Sequence, residues 1–257
     1  LVFNSSDPYF QFSGASGLAA ASRVLTKYNS ELAKECIDAS EQIWQQYKNS
    51  DGRRANSEKI ALLVELILAT DKNEYKQALV SLKDDVVSGF SRIGWNLGRV
   101  INKIEDKEFL NAVKTAAENY KVELDKIMNE SPFKSPLSHT EYVAFAQYYL
   151  QKAWPEIFDT EYLYSVLNYL LGCKPGNTTN SLVSGVGVNS PTVAYGNNRA
   201  DWSYIPGGTF WNAVNLVNPD YAEDKLWPYF WQEREYIITA PAYYMFAVIA
   251  ADRILNN

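Results

Sequence analysis

The sequence predicts an all-α fold built from helical hairpins. Apolar residues recur at the spacing of one helix face, as in the groups Ile60, Leu63, Val64, Ile67, Leu68 and Val143, Ala146, Leu150, Ala153. Short polar segments typical of turns separate the periodic stretches, and no stretch has the period of a strand. Because short turns join consecutive helices, we expect neighbouring helices to pack as antiparallel hairpins.

The periodic stretches define the individual helices. They predict helices over 15–28, 30–48, 57–71, 73–88, 91–104, 106–130, 140–157, 159–172 and 241–255. Four of the predicted starts coincide with residue types that commonly cap a helix N-terminus, namely Ser30, Ser57, Asp106 and Thr140.

Composition excludes several classes of function. The 257 residues are 47% hydrophobic, which is enough for one large domain, and the net charge of −6 argues against a nucleic-acid partner. No apolar run approaches the roughly 20 residues of a membrane span. His139 is the single histidine, which excludes a multi-histidine metal site, and Cys36 and Cys173 lack metal-ligand spacing. We therefore assign no metal ligand and expect no cofactor, while calcium dependence stays open. The two cysteines could be buried thiols or a disulfide, and His139 is expected in a loop or helix cap.

One long segment, residues 173–226, breaks the helical pattern. It is rich in Gly, Asn, Pro and Ser, and such a long irregular segment is either disordered or functional. Disordered segments contain few aromatic residues, whereas this one contains Tyr195, Trp202, Tyr204, Phe210 and Trp211. The sequence therefore predicts an ordered loop that forms a site. Trp202, Trp211 and also Trp231 could be sugar platforms or packing residues.

Two motifs near the C-terminal end resemble glycoside hydrolase family nine. The stretch LNYLLGCKPGNTTNSLVSGVGVNSP is similar to a family segment through Leu170, Leu171, Gly172, Ser181, Val183, Gly185, Gly187, Ser190 and Pro191. In the family's closing motif a glutamate precedes an Ala-Pro pair by seven and eight residues, as Glu233 precedes Ala240 and Pro241. The segments 16–47 and 61–75 resemble the family's helices.

The resemblance implies an (α/α)6 toroid, and the number of predicted helices can be compared with the number that this fold needs. Six hairpins need twelve helices, whereas about nine are predicted here, so we expect this chain to be the C-terminal part of one toroid domain, 1–257. Its parts would be helical hairpins over 15–172, the site loop 173–226, and an acid-bearing segment with the last helix over 227–257. An N-terminal segment or second chain would complete the ring. The resemblance also implies secretion or a periplasmic location.

The resemblance further implies inverting hydrolysis of a β-linked glucan or related oligosaccharide. In that chemistry a carboxylic acid protonates the leaving oxygen, and a carboxylate about 6.5–9.5 Å away activates a water. Glu233 occupies the position of the acid, and Trp231 and Tyr236 could desolvate it and raise its pKa. The alternative is that Glu233 and Glu235 are ordinary solvated charges.

Two departures from the family pattern affect the predicted site. The family usually has a sugar-binding His-His-Arg triplet after the Ser-Pro pair, whereas this chain has Asn197, Asn198 and Arg199. Arg199 is therefore a candidate sugar contact, unless it pairs with Asp201. The family's Asp-rich base motif is absent, so the expected base comes from the missing segment. The alternatives are a glycan-binding toroid without catalysis and a structural helical domain.

Overall fold

Helices make up most of the described structure. The computed structural model describes residues 6–130, 137–173, 181–187, 190, 205–209 and 238–256. The helices are α1 (Pro8–Leu25), α2 (Ser30–Tyr47), α3 (Arg53–Thr70), α4 (Asn73–Ser81), α5 (Lys83–Ser88), α6 (Phe90–Leu97), α7 (Lys107–Glu130), α8 (Leu137–Ala153), α9 (Glu161–Leu170) and α10 (Thr239–Leu255), with a 3-10 turn at Ile101–Lys103. Within these ranges β pairing is limited to one isolated bridge.

Two of the predicted N-caps can be compared with hydrogen bonds of the helix starts. The Asp106 carboxylate accepts the backbone N–H of Phe109 at 2.8 Å, which confirms the predicted cap of α7. Ser30 was the wrong residue for α2, because the side chain of Asn29 accepts the N–H of Leu32 at 3.0 Å. Asparagine and serine cap helices about equally well, so composition does not decide between adjacent candidates.

The other two predicted caps lie inside their helices. α3 begins after Gly52, and Ser57 is one turn further on. α8 begins at Leu137, so Thr140 is not its cap, and His139 lies in the first turn of that helix rather than in a loop. In both cases the helix extends through polar residues at its start, where the apolar period is not yet visible.

Two predicted helices are interrupted. The segment 73–88 is divided at Leu82, whose N–H donates to the Leu79 carbonyl at 3.1 Å. This bond spans three residues rather than four, so the helix tightens and restarts as α5. The segment 91–104 ends as α-helix at Leu97 and continues as the 3-10 turn. α1 shows the opposite error, because it begins seven residues before the predicted start, with Asp7 as its cap and Pro8 in its first turn.

The chain divides into two compact units. The first contains Leu1–Lys121 and Lys152–Ile157, and the second contains Val122–Gln151 and Phe158–Asn257. In the first unit α1 packs against α2 and α3. The buried residues of α3 form a nearly continuous apolar run, Ile60, Leu62, Leu63, Val64, Leu66 and Ile67. A helix that is apolar on all sides belongs in the centre of a core.

A buried carboxylate lies within this first core. Glu65 is 6% exposed, and it forms ion pairs with Arg23 and Arg99, the second at 2.5 Å. Arg99 also donates to the side chain of Asn96 at 2.8 Å. A charge removed from water needs such partners, so Glu65 is explained as the centre of a polar network that joins α1, α3 and the segment after α6.

The second unit contains a cluster of aromatic side chains between α8 and α10. The cluster consists of Tyr142, Phe145, Tyr148, Tyr149, Tyr243 and Phe246. Phe145 and Phe246 meet edge to face at 4.8 Å between ring centroids, and Tyr149 stacks on Phe246 at 5.4 Å. These geometries are the favoured ones for aromatic pairs, so the cluster fixes α10 against α8.

Both the first and the last helix expose apolar side chains. On α1 these are Phe10, Leu18 and Val24, and on α10 they are Met245, Val248, Ile249 and Leu255. Val24 is 64% exposed, and Met245 and Ile249 are 62% and 61% exposed. Their spacing places each set on one side of its helix. Within the described ranges, no helix combines the length and apolarity needed to cross a membrane.

Candidate active site

The loop that resembles the family motif begins where α9 ends. Gly172 has a φ of 94°, a conformation that favours glycine, and its N–H donates to the Tyr169 carbonyl at 3.2 Å. The N–H of Cys173 donates to the Asn168 carbonyl at 2.8 Å. These two bonds complete the C-terminal end of the helix and turn the chain into the loop.

Ser181 anchors the loop to α9. Its hydroxyl is buried, accepts the N–H of Val183 at 3.0 Å, and lies 3.2 Å from the carbonyl oxygens of Leu170 and Val183. The N–H of Leu182 also donates to the Leu170 carbonyl at 2.7 Å. One serine side chain therefore satisfies backbone groups that would otherwise be buried without a partner. The family motif has a serine at this position, and the structure gives it a scaffolding role.

A second part of the site loop pairs with this anchored segment. Val183 and Thr209 form an antiparallel bridge, and the N–H of Ser184 donates to the Gly208 carbonyl at 2.9 Å. In the opposite direction, the N–H of Gly207 donates to the Ser184 carbonyl at 2.8 Å. The described parts of 173–226 are therefore a hydrogen-bonded loop, and Val183, Ser184 and Thr209 are fully buried in it.

The backbone conformation explains why glycine stands at two positions of the motif. Gly185 and Gly187 have φ values of 75° and 89°, and the N–H of Gly185 donates to the Ser190 hydroxyl at 3.0 Å. A Cβ atom on Gly187 would lie 3.0 Å from the Ser181 Cβ and 3.2 Å from the Leu171 carbonyl oxygen. Both are turn glycines, and within the described residues no strand precedes them, as a phosphate-binding glycine loop would require.

The Ala-Pro pair of the second motif opens α10. Ala240 is fully buried, and Pro241 lies in the first turn, where a missing N–H is tolerated. Ile238, just before the helix, is 88% exposed. The helix predicted over 241–255 is therefore present and begins two residues earlier than predicted, at Thr239.

The predicted catalytic and sugar-binding residues lie outside the described residues. They are Glu233, Arg199, Asn198, Asn197, Trp202, Trp211, Trp231 and Tyr236, and their roles stay predictions. Asp84 and Asp85 lie in the first turn of α5. In the described part of the chain no three His, Cys, Asp or Glu side chains are grouped so that they could hold a metal. Cys36 is buried and Cys173 exposed, each as a free thiol, so they do not form a disulfide.

The structure also brings together residues that sequence reasoning did not connect. Tyr9, Arg54, Ser57, Glu58 and Arg92 line an open depression of about 400 Å³ in the first unit. They come from α1, α3 and α6, three segments up to 83 positions apart, from Tyr9 to Arg92. The sequence contains no local signal for such a grouping.

Comparison with known proteins decides the family. A sequence model of the family described as Glycosyl hydrolase family 9 matches residues 9–203, which is most of the chain. The chain belongs to glycosyl hydrolase family 9. The match includes the Ser181–Ser190 motif and the helices from α1 to α9.

Solved structures of family 9 share the fold. An endoglucanase from the termite Nasutitermes takasagoensis superposes with a TM-score of 0.72 over 97% of this chain, at 17% identity. A metagenome-derived family 9 endoglucanase gives a TM-score of 0.63 over 95%, at 16% identity, and a family 9 protein of Bacteroides ovatus gives 0.66 over 95%, at 15% identity. The predicted all-α, (α/α)6 fold class is thus confirmed.

The family 9 structures are longer than this chain. It covers 66% of the termite enzyme, 52% of the metagenome-derived enzyme and 53% of the Bacteroides protein. No curated protein matches the sequence.

Proposed function

We propose that this chain is part of the catalytic domain of a family 9 enzyme that hydrolyses a β-linked glucan or related oligosaccharide. The family match over residues 9–203 carries this proposal. Two of the similar solved structures are endoglucanases, which favours a glucan as substrate. The anchored loop after α9 supports it, because it gives the segment that bears the candidate sugar contacts a fixed start. Family 9 chemistry also suggests a secreted enzyme.

In the proposed mechanism Glu233 is the general acid. It would protonate the leaving oxygen while a carboxylate on the opposite side of the sugar activates a water, with inversion at the anomeric carbon. Arg199, Asn198, Asn197 and Tyr236 would bind the sugar by hydrogen bonds, and Trp202, Trp211 and Trp231 by stacking.

Replacement of the acid tests this mechanism. We expect Glu233→Gln in the full-length enzyme to lower turnover of an unactivated β-glucan by about 10²–10⁴-fold, because glutamine is nearly isosteric but cannot deliver a proton. Substrates whose leaving group needs no protonation should be cleaved at nearly the normal rate. The matched control is Glu235→Gln, which removes the same charge two residues away. Normal turnover by Glu233→Gln on the unactivated glucan would contradict the assignment.

We also propose that helices of an N-terminal segment, on the same or a second polypeptide, cover the apolar faces of α1 and α10 and supply the base. The exposed residues on these helices support this, because large apolar patches are rare on soluble monomers. The greater length of the family 9 structures supports it too.

A second candidate function is glycan binding without hydrolysis. The absence of an Asp-rich base motif from the sequence favours it. Oligosaccharide binding by a full-length protein that has no hydrolytic activity would distinguish it from the enzyme.

A further inference from the structure

The depression between α1, α3 and α6 combines positive charge with an aromatic ring. Arg54 and Arg92 both line it, together with Tyr9, Ser57 and Glu58. The lining has an excess of positive charge, with two arginines and one carboxyl group, although the chain as a whole carries a net charge of −6. Two cations in one open depression favour an anionic ligand.

Arg54 lies over an aromatic ring of the same depression. Its guanidinium carbon lies 3.9 Å from the centroid of the Tyr9 ring, which fixes the group over the ring face. The guanidinium N–H groups lie in their own plane, so contact through the face leaves them available at the edge. Among the described residues, none accepts a hydrogen bond from Arg54 or forms an ion pair with it, although its charge acts on Glu58 at longer range.

Glu58 is the one acidic group in the lining. Burial raises its pKa above the usual value, and this effect exceeds the opposing influences of a hydrogen bond from Ser13 and the charge of Arg54. A raised pKa favours the neutral acid, which repels an anion less than a carboxylate does and can donate one hydrogen bond. Glu58 contributes one carboxyl group to the lining, against the two guanidinium groups of Arg54 and Arg92.

We propose that Arg54 and Arg92 bind the carboxylate of a uronic acid residue in a saccharide ligand. This inference rests on the proposed carbohydrate-directed function. A guanidinium presents two parallel N–H groups that match the two oxygens of a carboxylate, and such bonds are stronger than those between neutral groups. The depression, at about 400 Å³, is open to solvent and accepts a substituent of a longer chain.

Calorimetric titration of the full-length protein carrying Glu233→Gln, in which glucan turnover is slow, tests the inference, with β-1,4-linked tetraglucuronate and the neutral cellotetraose as probes. We expect tetraglucuronate to bind about tenfold more tightly or better, and Arg54→Gln and Arg92→Gln each to remove roughly that factor. Cellotetraose binding should stay unchanged in both variants. The matched control is Lys27→Gln, which removes one positive charge from the exposed turn at the other end of α1.

The outcomes separate this inference from the proposed function. Equal affinities for the two probes, or full tetraglucuronate affinity in both arginine variants, would overturn the inference and leave the glucan proposal intact. Failure to bind either probe would overturn both. Competition by acetate as strong as by free glucuronate would show that the site does not recognise the sugar, which also overturns the inference. Circular dichroism checks that the variants are folded. If Arg54→Gln is not folded, Arg54→Lys is tested in its place.

Discussion

Two constraints require glycine at position 187, namely its backbone conformation and the lack of space for a side chain. Its φ of 89° is unfavourable for residues with a side chain, and a Cβ atom would also meet Ser181 and the backbone of Leu171. Gly207 shares the first constraint, with a φ of 77°, but no atom of the described residues lies within 4 Å of its Cβ position. The two glycines therefore allow backbone strain to be measured apart from crowding.

We expect Gly207→Ala to lower the free energy of unfolding by about 1 kcal/mol, which is the cost of a left-handed conformation for alanine. Gly187→Ala should cost about 2–3 kcal/mol, because overpacking adds to the same strain. Chemical denaturation of the two variants beside the parent protein measures both values. Equal losses of unfolding free energy in the two variants would show that Ser181 moves aside for the new Cβ atom, and that crowding at Gly187 adds no cost.

At the scale of the helix, the start of α2 tests how capping is assigned. Asn29 makes the capping bond, whereas the adjacent Ser30 is the first residue of the helix and is exposed. Both types are good caps, so the sequence alone favours neither.

We expect Asn29→Ala to lower the free energy of unfolding by about 1 kcal/mol, because it leaves the N–H of Leu32 without its partner. Ser30→Ala, the matched control, should change it by less than about 0.5 kcal/mol, as exposed substitutions away from such features do. Thermal or urea unfolding of the pair decides the question. A larger loss of unfolding free energy in Ser30→Ala than in Asn29→Ala would show that Ser30 is the cap of α2, as the sequence predicted.

Helix periodicity predicted the presence of most helices well and their ends poorly. The apolar run of α3 and the cap of α7 could be recognised because local residues specify them. The break at Leu82 could not, because the apolar spacing continues through it and no Gly or Pro marks it. The depression lined by Arg54 and Arg92 was also missed, since packing of three separate helices creates it. The anchoring role of Ser181 likewise depends on the position of the last turn of α9.

At the scale of the whole molecule, the exposed faces of α1 and α10 set how the isolated chain should behave. Apolar side chains that stay in water favour any association that covers them, at about 25 cal/mol per Å² of buried apolar area. The two faces belong to different compact units, so each can associate by itself.

We expect the 257-residue chain, expressed alone, to self-associate and to bind a hydrophobic dye. Met245→Lys with Ile249→Lys should reduce both effects with little loss of stability, because these side chains are already exposed. The control is Asn111→Lys with Thr115→Lys, which adds the same charge to an exposed polar face of α7. Light scattering and dye fluorescence measure the result. A monomeric, dye-silent parent chain would contradict the proposal that another segment covers these faces.

The two thiols differ in a way that is useful for experiments. Cys36 is buried and Cys173 is exposed, so a maleimide reagent should label this chain at Cys173 and not at Cys36. That residue directly follows Gly172, where the chain leaves α9 and enters the site loop. A fluorophore attached there needs no engineered cysteine, and it would sit at the entrance of the segment that contains Arg199 and Trp202. The natural sequence thus provides its own reporter position for following how this loop responds to oligosaccharides in real time.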